Sequence, residues 1–468
     1  MSLKQHYIEL PDALFQSICP EQLVEPSLII FNQELSEQLD LPNELRNCDV
    51  DYLSGNTLVP KSIPLALGYA GHQFGNLVPQ LGDGRAHLLG QVSSKFNYEV
   101  DLQLKGSGKT RYSRGGDGKS TLRAALREYI ISEYLATLNI NTSRSLYVIA
   151  GNDSIMRNEL EQVGLVCRVA KSHIRIGSFQ YAAMHQDPTV LKSLADFTIR
   201  QLYPELLKHQ NPYLSLVKQV AEQLAELVAS WMANGFIHGV MNTDNILLSG
   251  ETIDFGPCAF MGKYNPAQVF SSIDRQGRYA FQNQPSIMHW NLARFAESLI
   301  TLVAENEDRS IQLLSSVLNE FPTRYETIYH MKLCEKLALS PNEPMSKNVI
   351  IEMLAYMKKE QLDYRETFSF LSMFSEDTSY QSNIVNSECF KLWQKHKNVD
   401  LIERMCHVNP KKHFYNVTIE KLLDLCVADP LQASNHIELY FSALKQNDYE
   451  FLQSNHSFDD TYRTYCGT

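Results

Sequence analysis

The stretch Asp101-Leu-Gln-Leu-Lys105-Gly-Ser-Gly-Lys-Thr-Arg-Tyr-Ser-Arg-Gly-Gly-Asp117-Gly-Lys-Ser-Thr-Leu-Arg-Ala-Ala-Leu-Arg-Glu128 reads as three successive elements. Alternating Leu102, Leu104 and their polar neighbours predict a half-buried strand ending on Lys105. A loop rich in glycine and cations follows, and an amphipathic helix carrying Glu128 closes the stretch. Seven basic residues (Lys105, Lys109, Arg111, Arg114, Lys119, Arg123 and Arg127) stand against one acid, Asp117, between Lys105 and Arg127. Positive charge and backbone-exposing glycines ahead of a helix N-terminus suit a polyphosphate.

That cationic stretch runs against a chain whose formal net charge is −11 and whose pI is near 5.7. The acidic balance argues against bulk nucleic-acid binding. A length of 468 residues accommodates about two or three domains. A hydrophobic content of 44% with 20% charged residues is that of a globular protein with an ample core. No apolar run approaches the ~18 residues of a membrane span, and the N-terminus lacks the features of a signal or transit peptide. A cytoplasmic protein without membrane or nucleic-acid partners, and a monomer, is expected. The nine cysteines form no C-x-x-C pair, so neither a zinc site nor a dithiol redox motif is expected.

Outward from the opening stretch, the pattern predicts a helix from Pro26 to Leu39 and strands over Ala86–Val92, Tyr98–Lys105, Ser145–Ala150 and Leu165–Ala170. A helix is predicted from about Ser120 to Leu138, with Ser120 as N-cap. Another runs from Leu214 to Asn234, stopped by Gly235. Strand-loop-strand units follow over Phe236–Asn245 with Ile246–Leu248, then Thr252–Phe255. Helical periodicity dominates afterwards, over His289–Ala304, Ser310–Glu320, Ile350–Lys359, Asn383–His396 and Ile419–Cys426. The expected class is α+β: an N-terminal extension (1–60), a small β-rich lobe (61–165), a helical lobe carrying active-site loops (166–303) and a helical extension (304–468).

Four constellations bear chemistry. Lys105 and Glu128, 23 residues apart on a strand and a helix, match the kinase pair in which a helix glutamate steers a phosphate-binding lysine. Taken alone, one strand lysine is not specific, and an exposed strand-end lysine with a solvent-facing glutamate is the better reading of the pair. The second is His238-Gly-Val240-Met-Asn242-Thr-Asp244-Asn245-Ile-Leu-Leu followed by Thr252-Ile-Asp254-Phe-Gly256. A His, an Asn seven residues on, and Asp-Phe-Gly match a kinase catalytic loop and its metal-binding motif. Asn245 and Asp254 supply hard oxygen donors suited to Mg²⁺ with phosphate. Yet the position that holds the proton-accepting aspartate in a kinase holds Val240, and Asp244 is the only carboxylate in this loop.

The third, Gly82-Asp-Gly84-Arg85, stands where a nucleotide-covering glycine loop would be. It is not G-x-G-x-x-G, and neither Gly108-Lys-Thr nor Gly118-Lys-Ser carries the earlier glycine of a P-loop. The fourth, Arg168-Val-Ala-Lys171-Ser-His173-Ile-Arg175, predicts a cationic ridge: Arg168, Lys171 and Arg175 share a face if helical, Lys171, His173 and Arg175 if extended.

In this order the constellations resemble the selenoprotein O (YdiU-like) family of protein adenylyltransferases, which are pseudokinases. The segments carrying the resemblance are Tyr69-Ala-Gly-His-Gln-Phe-Gly75, Pro79-Gln-Leu-Gly-Asp-Gly-Arg85, Lys105-Gly-Ser-Gly108, His238 to Asn245, and Gln276-Gly-Arg-Tyr279. They span about 64 to 303, and the chain's end also fits. The resemblance implies a kinase-like bilobal fold in which ATP sits flipped, so that AMP, or UMP from UTP, passes to Ser, Thr or Tyr hydroxyls of proteins. It implies nucleotide contacts at Gly82, Gly84, Arg85, Lys105, Asp117, Gly118, Arg168, Arg175 and Asp254, with Glu128 orienting Lys105. It further implies Asp244 as the proton acceptor and Mg²⁺ or Mn²⁺ on Asn245 and Asp254. A conventional kinase with a displaced base and a non-catalytic nucleotide-binding scaffold are the competing functions. Members often carry selenocysteine or cysteine near the end as a redox tether to the activation segment. Cys466 stands in that place here, but the partner region 268–272 holds no cysteine.

Overall fold

The computed structural model describes residues 2–374, 384–446 and 456–465. Twelve strands are present among them: β1 (Phe15–Ser17), β2 (Ser27–Phe31), β3 (Leu65–Leu67), β4 (Gly71–Gln73), β5 (Asn76–Val78), β6 (Ala86–Ser93), β7 (Glu99–Lys105), β8 (Ser120–Thr121), β9 (Arg144–Met156), β10 (Leu160–Ala170), β11 (Phe236–Ile237) and β12 (Ala259–Phe260). The main sheet is antiparallel in the order β1-β3-β6-β7-β10-β9-β2, with β8 also on β10. Helices follow, so the class is α+β.

Strand alternation decides where the chemistry lies. On β7, Val100, Leu102 and Leu104 point into a core shared with Leu35, Leu39, Leu45 and Leu53 from the first 60 residues. Asp101, Gln103 and Lys105 therefore point to the opposite face. The register of β7 with β10 sets Arg168 opposite Gln103 and Val166 opposite Lys105. Slipping this pairing by one residue would send Lys105 into the apolar core, so burial of the leucine face fixes the site.

Helix Leu122–Thr137 packs on that opposite face, burying Leu122, Leu126, Ile130 and Ile131. Its N-cap is Thr121, whose side chain accepts from the Ala124 N–H, rather than the expected Ser120, which β8 draws into the sheet opposite Gly164. The expected helix Pro26–Leu39 is a strand and a shorter helix. Leu28-Ile-Ile-Phe31 pairs with β9, and Asn32 then caps helix Gln33–Glu37. The strand expected to close at Gly151 continues to Met156 and returns as β10.

Helix Pro212–Ala233 agrees with the sequence to within two residues. Of the strands expected over Phe236–Asn245, 246–248 and 252–255, only Phe236–Ile237 forms, paired with β12, and the other two segments make isolated bridges, Ile246 with Thr252, Arg175 with Leu247 and Thr142 with Thr252. The first expected helix of the C-terminal part is divided into Gln284–Ser298 and Ile300–Val303. The next extends through Pro322, from Glu307 to Lys336. Helices Pro344–Lys359 and Asn416–Ala428 contain two of the remaining expected helices, whereas the one expected over Asn383–His396 starts only at Glu388, after the Ser387 cap, and Asn383 lies outside the described residues. No described helix is long and apolar enough to cross a membrane.

Candidate active site

Lys105, at the end of β7, donates to Glu128 Oε2 at 2.7 Å and to Asp254 Oδ1 at 3.1 Å. Glu128 also accepts from Arg168, through Nε and, at 3.2 Å, through Nη2. All three side chains of this Lys–Glu–Arg group are nearly buried. Burial alone would raise the Glu128 carboxyl, but Arg168 and Lys105 hold it down to about 2. Asp254 is likewise held below its ordinary range, because Lys105, Arg168 and Arg85 outweigh its desolvation. Burial and the neighbouring Arg168 lower the Lys105 ammonium.

The cluster continues away from Lys105. Arg168 Nη1 donates to Gln103 Oε1 at 3.3 Å, Gln103 Nε2 to Asp83 Oδ2 at 3.0 Å, and Arg175 Nη2 to Asp83 Oδ1 at 3.3 Å. Arg175 Nη1 then reaches the Asp244 carbonyl at 2.8 Å, and its guanidinium lies 4.3 Å from the centre of the Tyr69 ring. One hydrogen-bonded line thus joins Asp254 to the Asp244 backbone. Removing one member of such a buried charged network costs about 3–5 kcal/mol, because its partner is left uncompensated.

The cationic ridge expected over 168–175 does not form. Arg168 and Arg175 turn inward, and His173 is buried with its backbone N–H on Asp101 Oδ2 at 2.8 Å. Lys171 alone is exposed, over the Tyr98 ring. Strand β10 ends at Ala170 and helix Ile176–Ala183 begins after Arg175, so neither single periodicity spans the segment.

Asp244 occupies a one-turn helix, Thr243–Asn245, clasped by the β4–β5 hairpin. The His72 N–H donates to Thr243 Oγ1 at 2.7 Å and the Phe74 N–H to Asn242 Oδ1 at 3.1 Å. Asn242 Oδ1 also accepts from the Tyr279 hydroxyl at 2.6 Å, which draws the Gln276–Tyr279 motif to the loop. A Cβ at Gly71 would fall 2.3 Å from Asp244 Oδ1, so only glycine leaves this carboxylate its place. Asp244 Oδ1 is buried with no hydrogen-bond partner among the described residues. Desolvation pushes its carboxyl up to about 6, against the pull of Arg175. Val240, in the usual kinase base position, is buried, and its carbonyl accepts from Asn245 Nδ2 at 3.2 Å.

That bond turns the Asn245 amide nitrogen toward Val240 and leaves its oxygen as a donor atom for a cation. Asp254 adds a carboxylate with one oxygen on Lys105 and the other without a hydrogen-bond partner among the described residues. Among the described residues no group of three or more His, Cys, Asp or Glu could hold a metal. A donor pair of one amide and one carboxylate oxygen fits Mg²⁺ or Mn²⁺ shared with phosphate oxygens, and does not fit zinc.

The remaining expected residues ring this core. Gly82 and Gly84 lie against Tyr112 in the turn before β6. Arg85 follows them and has no ion-pair partner among the described residues. Asp117 is held by Arg157 at 2.7 and 2.9 Å, which with the Lys119 N–H brings it down to about 2. Gly118 has φ +69°, and a Cβ there would meet the Gly108 carbonyl at 2.2 Å. The basic loop itself is divided in allegiance. Lys119 pairs with Asp153, and Arg123 and Arg127 pair with Glu420 in helix Asn416–Ala428. Cys466 lies outside the described residues, and Cys258 is a buried free thiol.

Sequence reasoning missed Asp83, Gln103, Arg157 and the acceptor role of Asn242. Gln103 had a signal, since a polar side chain on the same strand face as Lys105 needs a partner when buried; Asp83 had none beyond its place in the Gly82–Arg85 turn. Arg157 had none within its own neighbourhood, because it reaches Asp117 across 40 residues.

Comparison with known proteins gives the site its family. The family described as "Protein adenylyltransferase SelO" matches residues 1–462. A "Protein nucleotidyltransferase YdiU" of Alcanivorax borkumensis is 40% identical over 476 residues, covering 99% of this chain and 98% of that protein. Proteins of the same name from Pelagibacter ubique and Shewanella denitrificans are 40% and 45% identical, the first over 99% and the second over 80% of this chain, covering 98% and 74% of those proteins. The chain belongs to the SelO family of protein adenylyltransferases.

Proposed function

We propose that this chain is a protein nucleotidyltransferase that moves AMP from ATP, or UMP from UTP, onto Ser, Thr or Tyr hydroxyls of other proteins, releasing pyrophosphate. Family membership and the relatives' names support the transfer of a nucleotide to protein. One observation carries the mechanism: the buried Asp244 carboxylate, with an oxygen unpartnered among the described residues and its carboxyl pushed up to about 6 by desolvation, stands where the loop offers a base, while Val240 fills the kinase position. We read the architecture as a kinase-like bilobal fold, divided as 1–60, 61–165, 166–303 and 304–468.

In this reading the acceptor hydroxyl oxygen bonds to the α-phosphorus and the bond from that phosphorus to the β-phosphate oxygen breaks. The hydroxyl proton goes to Asp244, and the electron pair leaves on pyrophosphate. Arg85 and Lys105 present positive charge to the leaving group, with Asp117 and the Gly118 turn beside it. Arg168 and Arg175 add their field through Glu128 and Asp83, where a low dielectric makes it count. Asn245 and Asp254 would hold Mg²⁺ or Mn²⁺, which when bound supplies further charge neutralisation at the phosphates.

The test is incubation of the chain and candidate acceptor proteins with ATP labelled at the α- or the γ-phosphate, and with α-labelled UTP. Label entering protein from the α position only is expected. Label from the γ position only would make it a kinase, and label from neither, with ATP still bound, a scaffold.

A further inference from the structure

We infer that Arg127 is a positioning residue for Asp254, and that the far C-terminal segment, through Glu420, Tyr462 and Thr464, is a working part of the loop that carries this metal ligand. The inference rests on the reading of Asp254 as a metal ligand and goes beyond it.

The four residues after Asp254 present four successive carbonyls, and each is held from outside the loop. Arg127 Nε donates to the Phe255 carbonyl at 3.3 Å and to that of Gly256 at 3.1 Å, and Nη2 to that of Cys258 at 2.8 Å. The Pro257 carbonyl accepts from Thr464 Oγ1 at 2.6 Å. A planar guanidinium with five donors in a fixed fork can hold several acceptors at once, which an ammonium cannot. Asp254 itself has φ +68°, a left-handed conformation that a non-glycine residue keeps only when its surroundings impose it. These donors hold the backbone that follows Asp254, while His238 on the Ile253 carbonyl at 2.9 Å holds the backbone before it.

Arg127 is aimed from the C-terminal side. Its Nη1 donates to Glu420 Oε1 at 2.7 Å, and the same oxygen accepts from the Tyr462 hydroxyl at 2.5 Å. Burial would raise the Glu420 carboxyl, but Arg127, Tyr462 and Arg123 hold it below its ordinary value, so it stays charged opposite the guanidinium. Two residues beyond Tyr462, the Thr464 backbone accepts from the Ser272 N–H and donates to the Phe270 carbonyl, both at 2.9 Å. The segment 462–464 therefore bridges two stretches of one loop, 255–258 and 270–272.

Adjacent residues of one helix thus grip both ends of the ligand. Glu128 orients Lys105 on the Asp254 carboxylate, and Arg127 holds the backbone that follows it. A merely structural Arg127–Glu420 ion pair would stabilise the fold without governing the metal.

The experiment titrates Mn²⁺ by electron paramagnetic resonance against the full chain with α,β-methylene-ATP, alongside thermal melting. Arg127→Lys keeps a charge for Glu420 and loses the fork. It should weaken Mn²⁺ binding about 10- to 100-fold, the range for groups that orient metal ligands. The apparent Mn²⁺ KM should rise while kcat at saturating Mn²⁺ largely recovers. Tyr462→Phe and Thr464→Val each remove one hydrogen bond and should weaken Mn²⁺ about two- to tenfold. These milder variants decide the matter where a bulkier change at Arg127 unfolds the chain. Asp254→Asn is the reference and should lose Mn²⁺. If it does while Arg127→Lys, Tyr462→Phe and Thr464→Val bind Mn²⁺ as the unaltered chain does, the positioning role is overturned and the metal reading stands. If Asp254→Asn binds Mn²⁺ normally, the metal reading falls and takes the positioning role with it.

Discussion

Asp244 and Asp254 lie ten residues apart in one loop system and live in opposite electrical worlds. Asp254 faces Lys105, Arg168 and Arg85 and is held charged at any working pH. Asp244 faces a glycine, a tight hairpin and one arginine, and its carboxyl rises to about 6. The same side chain is held as an anion in one place and, in the proposed mechanism, serves as the proton acceptor in the other. Burial is common to both, so the difference is made by the number of cations alongside. Pairs of carboxylates whose environments push them apart are how one site obtains an anion and a base together.

The severest way to break this contrast is to remove the cation that defines one half. Lys105→Ala should cost about 10³-fold or more in nucleotidyl transfer, by loss of charge facing the phosphates. Retained activity in the α-label assay would defeat that assignment. Asp244→Asn comes next. It should lose about 10²- to 10⁴-fold in kcat, the usual worth of a positioned general base. The unaltered chain's kcat/KM should rise with pH to about 6 and flatten above it; a profile without an inflection there would remove Asp244 as the base.

Stability should move the other way. A carboxyl raised from 3.8 to about 6 in the fold contributes stability below pH 3.8 that is lost as pH climbs through 6. The ligand-free Asp244→Asn chain should therefore melt above the unaltered one at pH 7.5, by on the order of 1–3 kcal/mol, and this advantage should vanish near pH 4. Glu128, held down to about 2, has the opposite sign: its contribution is full above pH 4.5 and lost as pH falls toward 2. Gly71→Ala is the subtlest. Its methyl group displaces Asp244 Oδ1 and should lower kcat about 10-fold or more through misplacement alone. Unchanged kinetics would mean that the carboxylate's position is not tightly set.

Elements whose structure is decided locally were legible before folding was considered. Leu102 and Leu104 alternate with Gln103 and Lys105, and β7 forms where that alternation puts it. The His238–Gly256 segment points to Asn245 and Asp254 through the spacing of its His, Asn and Asp-Phe-Gly, whereas the role of Asp244 comes from the family resemblance and not from spacing. Leu28-Ile-Ile-Phe31 reads as helix from its local sequence, but its structure is set by pairing with β9, more than a hundred residues away. Arg168 and Arg175 read as members of a cationic ridge, since nothing in their immediate sequence shows Glu128, Gln103 and Asp83 waiting in the fold. Arg127 looked like one more cation of a basic loop. Its partners at 255–258, 420 and 462 come from three separate parts of the chain.

The same long-range pairing sets a timetable for synthesis. Strand β2 can be held in the main sheet only by β9, and β9 is itself paired along its length by β10, which ends at Ala170. At translation rates of about 5–20 residues per second, the Leu28–Phe31 segment leaves the ribosome roughly 7–30 s before its neighbours are complete. During that interval a short, apolar, β-branched stretch is available to other chains as well as to its own. The strand that closes one edge of the finished sheet is, on the nascent chain, a segment that a chaperone would have reason to cover.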